Sequence, residues 1–169
     1  PDSNEALVNL CQAYFEEGLL PKAIEVANKG LSLEPKNIPL LKNLTDSFLL
    51  LNRFDDALAA CKNILSINSK DIDAINAMGT ICERQGLYDQ AKSYFLMALE
   101  LDQNFVQAKI NIATVYQLEG HVEKANKIYK NLVKEHSENN EVLYRESAFS
   151  LQQGNFEDGW KNYEYRWKV

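Results

Sequence analysis

The sequence has a deficit of positive charge and few of the residues from which catalytic sites are built. Its 169 residues include 18 Lys and Arg against 24 Asp and Glu, which gives a formal net charge of −6. A general basic field for nucleic acid is therefore absent, and we predict no nucleic-acid partner. The two histidines, His121 and His136, have no Cys or Ser placed to pair with them, so we interpret both as surface residues. No catalytic residue is predicted.

Long hydrophobic runs are also lacking. The most notable one is Phe48-Leu49-Leu50-Leu51, far short of the ~20 residues that span a bilayer, so membrane insertion is not predicted. The three cysteines, Cys11, Cys61 and Cys82, form no CxxC pair and are predicted to be reduced thiols in the core. No glycine-rich phosphate loop or metal-ligand spacing appears, so we predict no cofactor and no metal, and we expect a cytoplasmic protein.

What the sequence does have is a fixed period of 34 residues. One set of positions at this spacing holds residues that tolerate a left-handed backbone at a helix end: Gly18, Asn52, Gly86, Gly120 and Gly154. A second set holds small residues: Ala23, Ala57, Ala91, Ala125 and Gly159. A period of this length predicts a solenoid, in which each unit buries its apolar face against its neighbours.

Four full units and one shortened unit account for the chain: residues 4–37, 38–71, 72–105, 106–139 and 140–169. Apolar residues recur at three- and four-residue spacing and are interrupted once per unit, which predicts two antiparallel amphipathic helices, A and B. In the first unit, helix A is predicted from about Glu5 to Glu17 and helix B from about Pro21 to Leu33. Gly30 replaces a helix-B alanine and is predicted to cost about 1 kcal/mol.

The third unit shows the pattern most fully, with Ile75, Met78-Gly79, Ala91, Phe95 and Ala98. This pattern resembles the tetratricopeptide repeat family, and the resemblance extends over residues 4–169. It implies an all-α fold, a right-handed α-α superhelix of five antiparallel helix pairs with the last one incomplete. In this register Pro1-Asp2-Ser3 closes a missing unit and Val169 lies inside a helix B, so we expect a fragment of a longer protein.

The fifth unit departs most from the others. Its segment from Gly154 to Trp167 is dense in aromatic residues, which would either cap the array or dock a following domain. Glu146 and Arg166 stand at apolar or small positions, and we predict an ion pair between them. The segment also resembles the end of the repeat region in bacterial tetratricopeptide proteins, where a glycosyltransferase domain often follows, including relatives of the O-linked N-acetylglucosamine transferases.

The resemblance also implies a binding site, because helices A line the concave face in this family. That face would carry Asn9, Asn43, Ala77, Asn111 and Arg145 at one 34-residue step, with Asn76 beside the alanine. The line resembles the asparagine ladder of the O-linked N-acetylglucosamine transferase repeats, which holds a peptide by its backbone. An asparagine amide offers a donor and an acceptor together. Alternatively, these asparagines bond the neighbouring repeats.

Apolar residues near the same face would either contact a peptide or pack between adjacent A helices: Val8, Phe15, Leu49, Leu50, Ile110, Leu118, Tyr144 and Leu151. The chaperone-type carboxylate clamp of the family is not expected. The five positions that it requires hold Val8, Gln12, Asn43, Asp73 and Ala77, of which only Asn43 matches.

Three functions follow from these patterns, and in none of them is this chain itself an enzyme. The leading prediction is a module that binds an extended peptide or a partner protein on its concave helix-A face. The second is the non-catalytic recognition arm of a larger glycosyltransferase. The third is a self-assembling scaffold, because both ends would expose apolar stacking surfaces.

Overall fold

The computed structural model describes residues 4–168, which fold into helices at the predicted spacing. The helices are α1 (Asn4–Glu16), α2 (Leu20–Leu33), α3 (Ile38–Leu50), α4 (Phe54–Ile67), α5 (Ile72–Arg84), α6 (Tyr88–Leu101), α7 (Val106–Leu118), α8 (Val122–Glu135), α9 (Asn140–Gln152), α10 (Phe156–Tyr163) and a 3-10 helix (Glu164–Lys168). Odd-numbered helices are the predicted helices A, and even-numbered ones are the helices B. The predicted all-α class and the helix pairs are confirmed. The interpretations of Pro1–Ser3 and Val169 lie outside the described residues.

A residue with a positive φ angle separates the two helices of each pair. The φ angles are 73° at Gly18, 56° at Asn52, 75° at Gly86 and 78° at both Gly120 and Gly154, so the predicted left-handed turns are confirmed. At the first turn the N–H of Leu19 donates to the Tyr14 carbonyl at 2.8 Å, which closes the end of α1. Each helix A is thereby stopped and the chain reversed within a few residues.

Side-chain caps start several of the helices A. Asn37, Asp71 and Asn139 accept hydrogen bonds from the backbone N–H groups three residues on, at 3.0 to 3.1 Å. These bonds satisfy amide groups that have no partner within the helix. Pro21 lies in the first turn of α2, where its missing N–H costs nothing, as predicted.

Small residues allow the two helices of a pair to approach closely, as predicted. Ala23, Ala57, Ala91 and Ala125 are all fully buried. A Cβ atom at Gly159 would lie 2.6 Å from the Leu151 side chain, and one at Gly79 would lie 2.4 Å from the Phe95 ring. At Gly30 it would lie 2.3 Å from Leu40 Cδ1, so this glycine makes room for the next helix A rather than simply weakening α2.

The chain divides into two compact units. The first contains α1–α6 and ends at Leu101, and the second starts at Asp102 and contains α7–α10 and the 3-10 helix. The core of the first unit includes Cys11, Leu40, Phe48, Cys61 and Met78. The core of the second includes Ile110, Tyr129, Leu132, Val142 and Phe149. The assignment of all repeats to a single array stays a prediction.

All three cysteines are free and buried, as predicted. Burial raises the pKa of the Cys61 thiol to about 11, although its contact with the Thr45 hydroxyl partly opposes the rise. Burial also raises the pKa of Cys82. These thiols are therefore protonated core side chains.

One prediction about the fifth helix pair is wrong. Glu146 accepts a hydrogen bond from the Ser150 hydroxyl at 2.6 Å, while the Arg166 guanidinium lies 4.5 Å from the centroids of both the Tyr163 and Trp167 rings, so the two charges do not pair. The last helix B is shorter than the others, because α10 stops at Tyr163 and a 3-10 helix follows.

Candidate functional site

In the first unit, the neighbouring helices A form one surface. Helix α3 lies between α1 and α5 and contacts both. We define the first A-helix surface by exposed and half-buried side chains of these three helices: Glu5, Asn9, Gln12, Glu16, Lys42, Asn43, Asp46, Leu50, Asp73, Asn76, Thr80 and Arg84. In the described part of the chain, no group of three or more His, Cys, Asp and Glu could hold a metal ion.

Lys42 links α3 to α5 at this surface. Its Nζ atom lies 2.6 Å from Asp73 Oδ2 and 3.2 Å from Asp71 Oδ2, and Asp71 is also the cap of α5. Burial acts to lower the pKa of Lys42, but the hydrogen bonds and charges of Asp73 and Asp71 raise it above its usual value. Lys42 is therefore held as a cation between two carboxylates.

Asp46 lies one turn after Lys42 on α3, and its negative charge is only partly compensated by that lysine. Desolvation by the surrounding protein raises the pKa of its carboxyl group, the negative charge of Asp73 raises it further, and only Lys42 opposes the rise. The positive charge of Lys42 is therefore shared among the carboxylates of Asp46, Asp71 and Asp73. The exposed Glu5 and Glu16 on α1 add two more negative charges, so the first A-helix surface is acidic.

Arg84 joins the same two helices at the other end of the surface. Its Nη1 atom donates to the Leu49 carbonyl at 3.0 Å, near the C-terminus of α3. A cation is favourable there because the last carbonyls of a helix carry partial negative charge. The positive charge of Arg84 is therefore already engaged within the fold.

The predicted asparagines differ in their surroundings. Asn9 is exposed, whereas Asn43 and Asn76 are half-buried. The Asn43 side chain hydrogen-bonds the Cys11 thiol of the preceding repeat, which partly offsets the rise that burial causes in the pKa of Cys11. Asn43 thus contacts a side chain of the neighbouring repeat, and the role of the asparagines in binding stays a prediction.

In the second unit, α7 and α9 carry the corresponding residues. Asn111 is half-buried and accepts a hydrogen bond from Gln107 Nε2 at 3.2 Å. Arg145 is exposed, and its Nη2 atom lies 3.5 Å from Glu141 Oε1 on the same helix. A hydrogen bond from Gln117 to Gln152 joins α7 to α9.

The predicted apolar contacts divide into core and surface residues. Leu49 is 8% exposed and Ile110 is 1% exposed, so both contribute to packing. Phe15 and Tyr144 are half-buried, and the Tyr144 ring centroid lies 6.0 Å from that of Tyr163. The exposed apolar side chains near these helix ends are instead Leu50 and Leu118.

Sequence reasoning missed the charged cluster of Lys42, Asp46, Asp71 and Asp73. The spacing of Lys42 and Asp46 by one helical turn was a signal that they share a face. Their link to Asp71 and Asp73 depends on how α3 and α5 are placed side by side, which the spacing within one helix does not reveal.

The charged cluster extends into the third helix pair, and this pair has a recognisable sequence. Residues 72–105 match the sequence model of the tetratricopeptide repeat. The third helix pair is therefore similar to a tetratricopeptide repeat. Its α5 supplies Asp73, Asn76 and Arg84 to the first A-helix surface.

Two curated relatives are members of a named protein complex. The chain is 24% identical over 157 residues to the BBSome complex member BBS4 homolog of Drosophila melanogaster, covering 82% of this chain and 32% of the relative. It is 24% identical over 146 residues to BBSome complex member BBS4 of Bos taurus, covering 86% of this chain and 28% of the relative. The chain thus spans about a third or less of the length of these relatives.

Solved tetratricopeptide structures share the fold. A tetratricopeptide repeat protein from Parabacteroides merdae has a TM-score of 0.78 at 21% identity, covering 99% of this chain and 66% of that one. The thermophilic tetratricopeptide protein TTC0263 from Thermus thermophilus has a TM-score of 0.83 at 17% identity, covering 96% and 89%. The first tetratricopeptide domain of Spaghetti (RPAP3), bound to an HSP90 peptide, has a TM-score of 0.63 at 23% identity, covering 69% and 93%. These likenesses confirm the tetratricopeptide fold.

Proposed function

We propose that the chain is a non-catalytic protein-interaction module whose A-helix surfaces bind an extended segment of a partner protein. The observation that carries this proposal is the negative excess of the first A-helix surface, where Lys42 and Arg84 are bonded within the fold and the acidic side chains are exposed: Glu5, Glu16, Asp46 and Asp73. The pKa of the Asp46 carboxyl group is also raised, and perturbed pKa values are more often found at binding sites than elsewhere. A cationic group of a partner would compensate these charges.

The charge of this surface favours a partner segment that carries Lys or Arg side chains. Lys42 and Arg84 are engaged within the fold, while Asp46, Asp73, Glu5 and Glu16 leave a negative excess. Complementary charge mainly increases the association rate and the specificity. The acidic HSP90 peptide in the Spaghetti structure has the opposite character, and we expect such a peptide to be rejected.

Asparagine contacts with the peptide backbone are part of the proposal. Asn9 is exposed, and Asn43 and Asn111 would exchange their present hydrogen bonds for bonds to the peptide. Each hydrogen bond contributes only about 1 kcal/mol net. Leu50 and Leu118 would add apolar contact, while Asn76, Arg145, Phe15 and Tyr144 lie on the same helices and stay predicted contacts.

The test is to titrate three labelled unstructured peptides of equal length, one cationic, one neutral and one acidic, and to follow fluorescence anisotropy. The wild-type protein should bind the cationic peptide most tightly, and added salt should weaken that binding.

A variant with Asn9, Asn43 and Asn111 changed to Ala should bind more weakly. The matched control changes Asn28, Asn63 and Asn131, exposed asparagines of helices B, to Ala. Equal affinities in all three proteins would show that Asn9, Asn43 and Asn111 do not contribute to peptide binding. If no peptide binds, the proposal is wrong.

The relatives favour a second form of the same function, in which the partner is a subunit of a protein complex. Both curated relatives above are named as members of the BBSome complex. The glycosyltransferase arm stays a prediction of the sequence. Three free, buried thiols suit a reducing compartment, so we propose the cytoplasm as the location.

A further inference from the structure

The outer side of α8 carries a line of lysine side chains. Lys127, Lys130 and Lys134 are all exposed, and their spacing of three and four residues places them on one face of the helix. Their equivalents at the 34-residue step are exposed too, so this line faces solvent because of its place in the repeat: Glu25, Asn28 and Ser32 in α2, Ala59, Lys62 and Ser66 in α4, Ser93, Leu96 and Glu100 in α6, and Lys161, Glu164 and Lys168 in the last pair. Among these described helices, α8 alone has a cation at all three positions.

The positive charges of this lysine line are not compensated within the fold. Among residues 4–168, no carboxylate forms an ion pair with any of the three lysines. Other cations of the second unit are engaged, because Lys109 lies 3.7 Å from Glu135 and Lys124 lies 5.0 Å from the centroid of the Tyr116 ring. Like charges three and four residues apart slightly destabilise a helix. The lysine line therefore does not contribute to the stability of α8.

The opposite face of α8 argues against a lipid bilayer as the partner. Ala125, Tyr129 and Leu132 are buried in the core of the second unit. A basic helix that lies on a membrane inserts its apolar face among the headgroups, and this face is occupied in α8. Lysine clusters that bind anionic lipid without insertion typically contain about four to eight cations. The three lysines fall short of that number.

The ends of the lysine line limit the length of an anionic partner. Glu123 lies one turn before Lys127, Glu135 directly follows Lys134, and both glutamates are exposed. A strand of nucleic acid would continue past these carboxylates, which would repel its phosphates. Tyr129, the aromatic residue of α8, is buried and offers no ring on which a base could stack. A short acidic segment fits the line better.

We propose that the outer face of α8 binds a short acidic segment of a partner protein through Lys127, Lys130 and Lys134. The three lysines span about 10 Å along the helix, at about 1.5 Å per residue. An extended segment of about four residues covers this length, and its side chains on one face lie about 7 Å apart. Asp or Glu side chains at alternate positions therefore match the step of about 6 Å from Lys130 to Lys134.

The contact uses the second unit alone, so it is independent of peptide binding by the first A-helix surface. Opposite charges on the two sides of a contact mainly increase the association rate and the specificity. The acidic segment that the first A-helix surface rejects is the kind of segment that α8 selects.

NMR spectra of the nitrogen-15-labelled protein, recorded during titration with a peptide of alternating Glu and Ser, test the proposal. At low ionic strength, the peptide should shift the amide signals of α8 near the lysine line, and added salt should reverse these shifts. The amides of α1, α3 and α5 should not shift, because the first A-helix surface is acidic.

A triple variant with all three lysines of the line changed to Gln should bind this peptide about tenfold more weakly, since three exposed ion pairs are lost and each is weak. The matched control makes the same change in net charge at exposed lysines of the first unit: Lys36→Gln, Lys62→Gln and Lys70→Gln. The control should bind the peptide as the wild type does. Circular dichroism checks the fold of both variants.

Several results would contradict the proposal. If the peptide shifts no amide of α8, or if the triple variant binds it as the wild type does, the lysine line is an ordinary solvated face. If a DNA oligonucleotide of equal charge or vesicles with anionic lipid bind α8 more tightly than the peptide does, the partner belongs to another class. If the wild type alone self-associates in sedimentation velocity and the triple variant does not, the partner is a second copy. The cationic peptide tests the first A-helix surface separately, so the two proposals can fail independently.

Discussion

At the scale of single residues, the fold disfavours the charged form of some side chains, whereas at other positions the available space allows only one residue type. Asp46 belongs to the first kind, because partial desolvation and the negative charge of Asp73 raise the pKa of its carboxyl group. Gly79 belongs to the second kind, because the Phe95 ring occupies the space that a Cβ atom would need. Packing explains Gly79, whereas the charge of Asp46 would be compensated by a cationic group of the partner that we propose.

Replacing Asp46 by Asn should stabilise the protein at neutral pH. The pKa of Asp46 in the folded state is raised above its usual 3.8, so the folded state holds the proton more tightly than the unfolded state does. Ionisation therefore destabilises the fold above the raised pKa, and this effect disappears as the pH falls below 3.8. Urea melts at neutral and acidic pH should show a gain for Asp46→Asn only at neutral pH.

Glu25→Gln, at an exposed acid of α2, is the control for Asp46→Asn and should give no such gain. Asp46→Asn should also bind the cationic peptide more weakly, although it is more stable. A variant that is less stable at neutral pH would show that Asp46 is adequately compensated within the fold.

Replacing Gly79 by Ala should destabilise the protein despite the higher helix propensity of alanine. The propensity gain is about 1 kcal/mol, whereas overpacking a core typically costs about 1–3 kcal/mol. The nearest Phe95 ring atoms would lie 2.4 to 2.9 Å from the new Cβ atom. We expect a net loss of about 1 kcal/mol in the free energy of unfolding, measured by urea denaturation.

The double-mutant cycle with Phe95→Leu assigns the cause of this loss. Gly79→Ala should cost less in the Phe95→Leu background, because the ring is gone. The same cost in both backgrounds would mean that the ring does not cause it.

At the scale of helices and turns, the sequence predicts those features that depend only on the local geometry of the backbone. The positions of Gly18, Asn52 and Gly86 fix where each helix A ends, because the chain there needs a positive φ angle. The predicted bounds of the first helix pair are accordingly within one residue of the observed ones. What the sequence does not predict depends on neighbouring elements. The link from Lys42 to Asp73 is of this kind, as is the early end of α10.

The turn at Gly86 provides a test of this geometric argument. Its φ angle is 75°, and a left-handed backbone costs an ordinary residue about 1–2 kcal/mol. We expect Gly86→Ala to lower the free energy of unfolding by about that amount. Gly86→Asn should cost less, because Asn52 occupies the equivalent turn with a φ angle of 56°. Equal losses for the two variants in urea melts would show that backbone strain does not decide the residue here.

At the scale of the whole molecule, stability is divided between two units of unequal size. The first unit has three helix pairs and the second has two, of which the last ends in a 3-10 helix. Repeat units cannot bury their apolar faces alone, and about three are needed for a stable stack. Phe156, Trp160 and Trp167 of the last pair are exposed, so these three side chains add little to the core of the second unit.

Separate fragments should therefore differ in stability. Residues 1–101 should fold alone and unfold cooperatively in urea, because the fragment contains the complete first unit and its core. Residues 102–169 should be only marginally stable, since a chain of about 70 residues buries too little surface for a large margin. Circular dichroism during urea denaturation measures both.

The matched control is residues 1–67, which also contain two helix pairs. If residues 1–67 have the same free energy of unfolding as residues 102–169, the number of helix pairs limits stability. If residues 102–169 are the more stable of the two, their core of Tyr129 and Phe149 compensates for the short last helix, and our expectation is wrong.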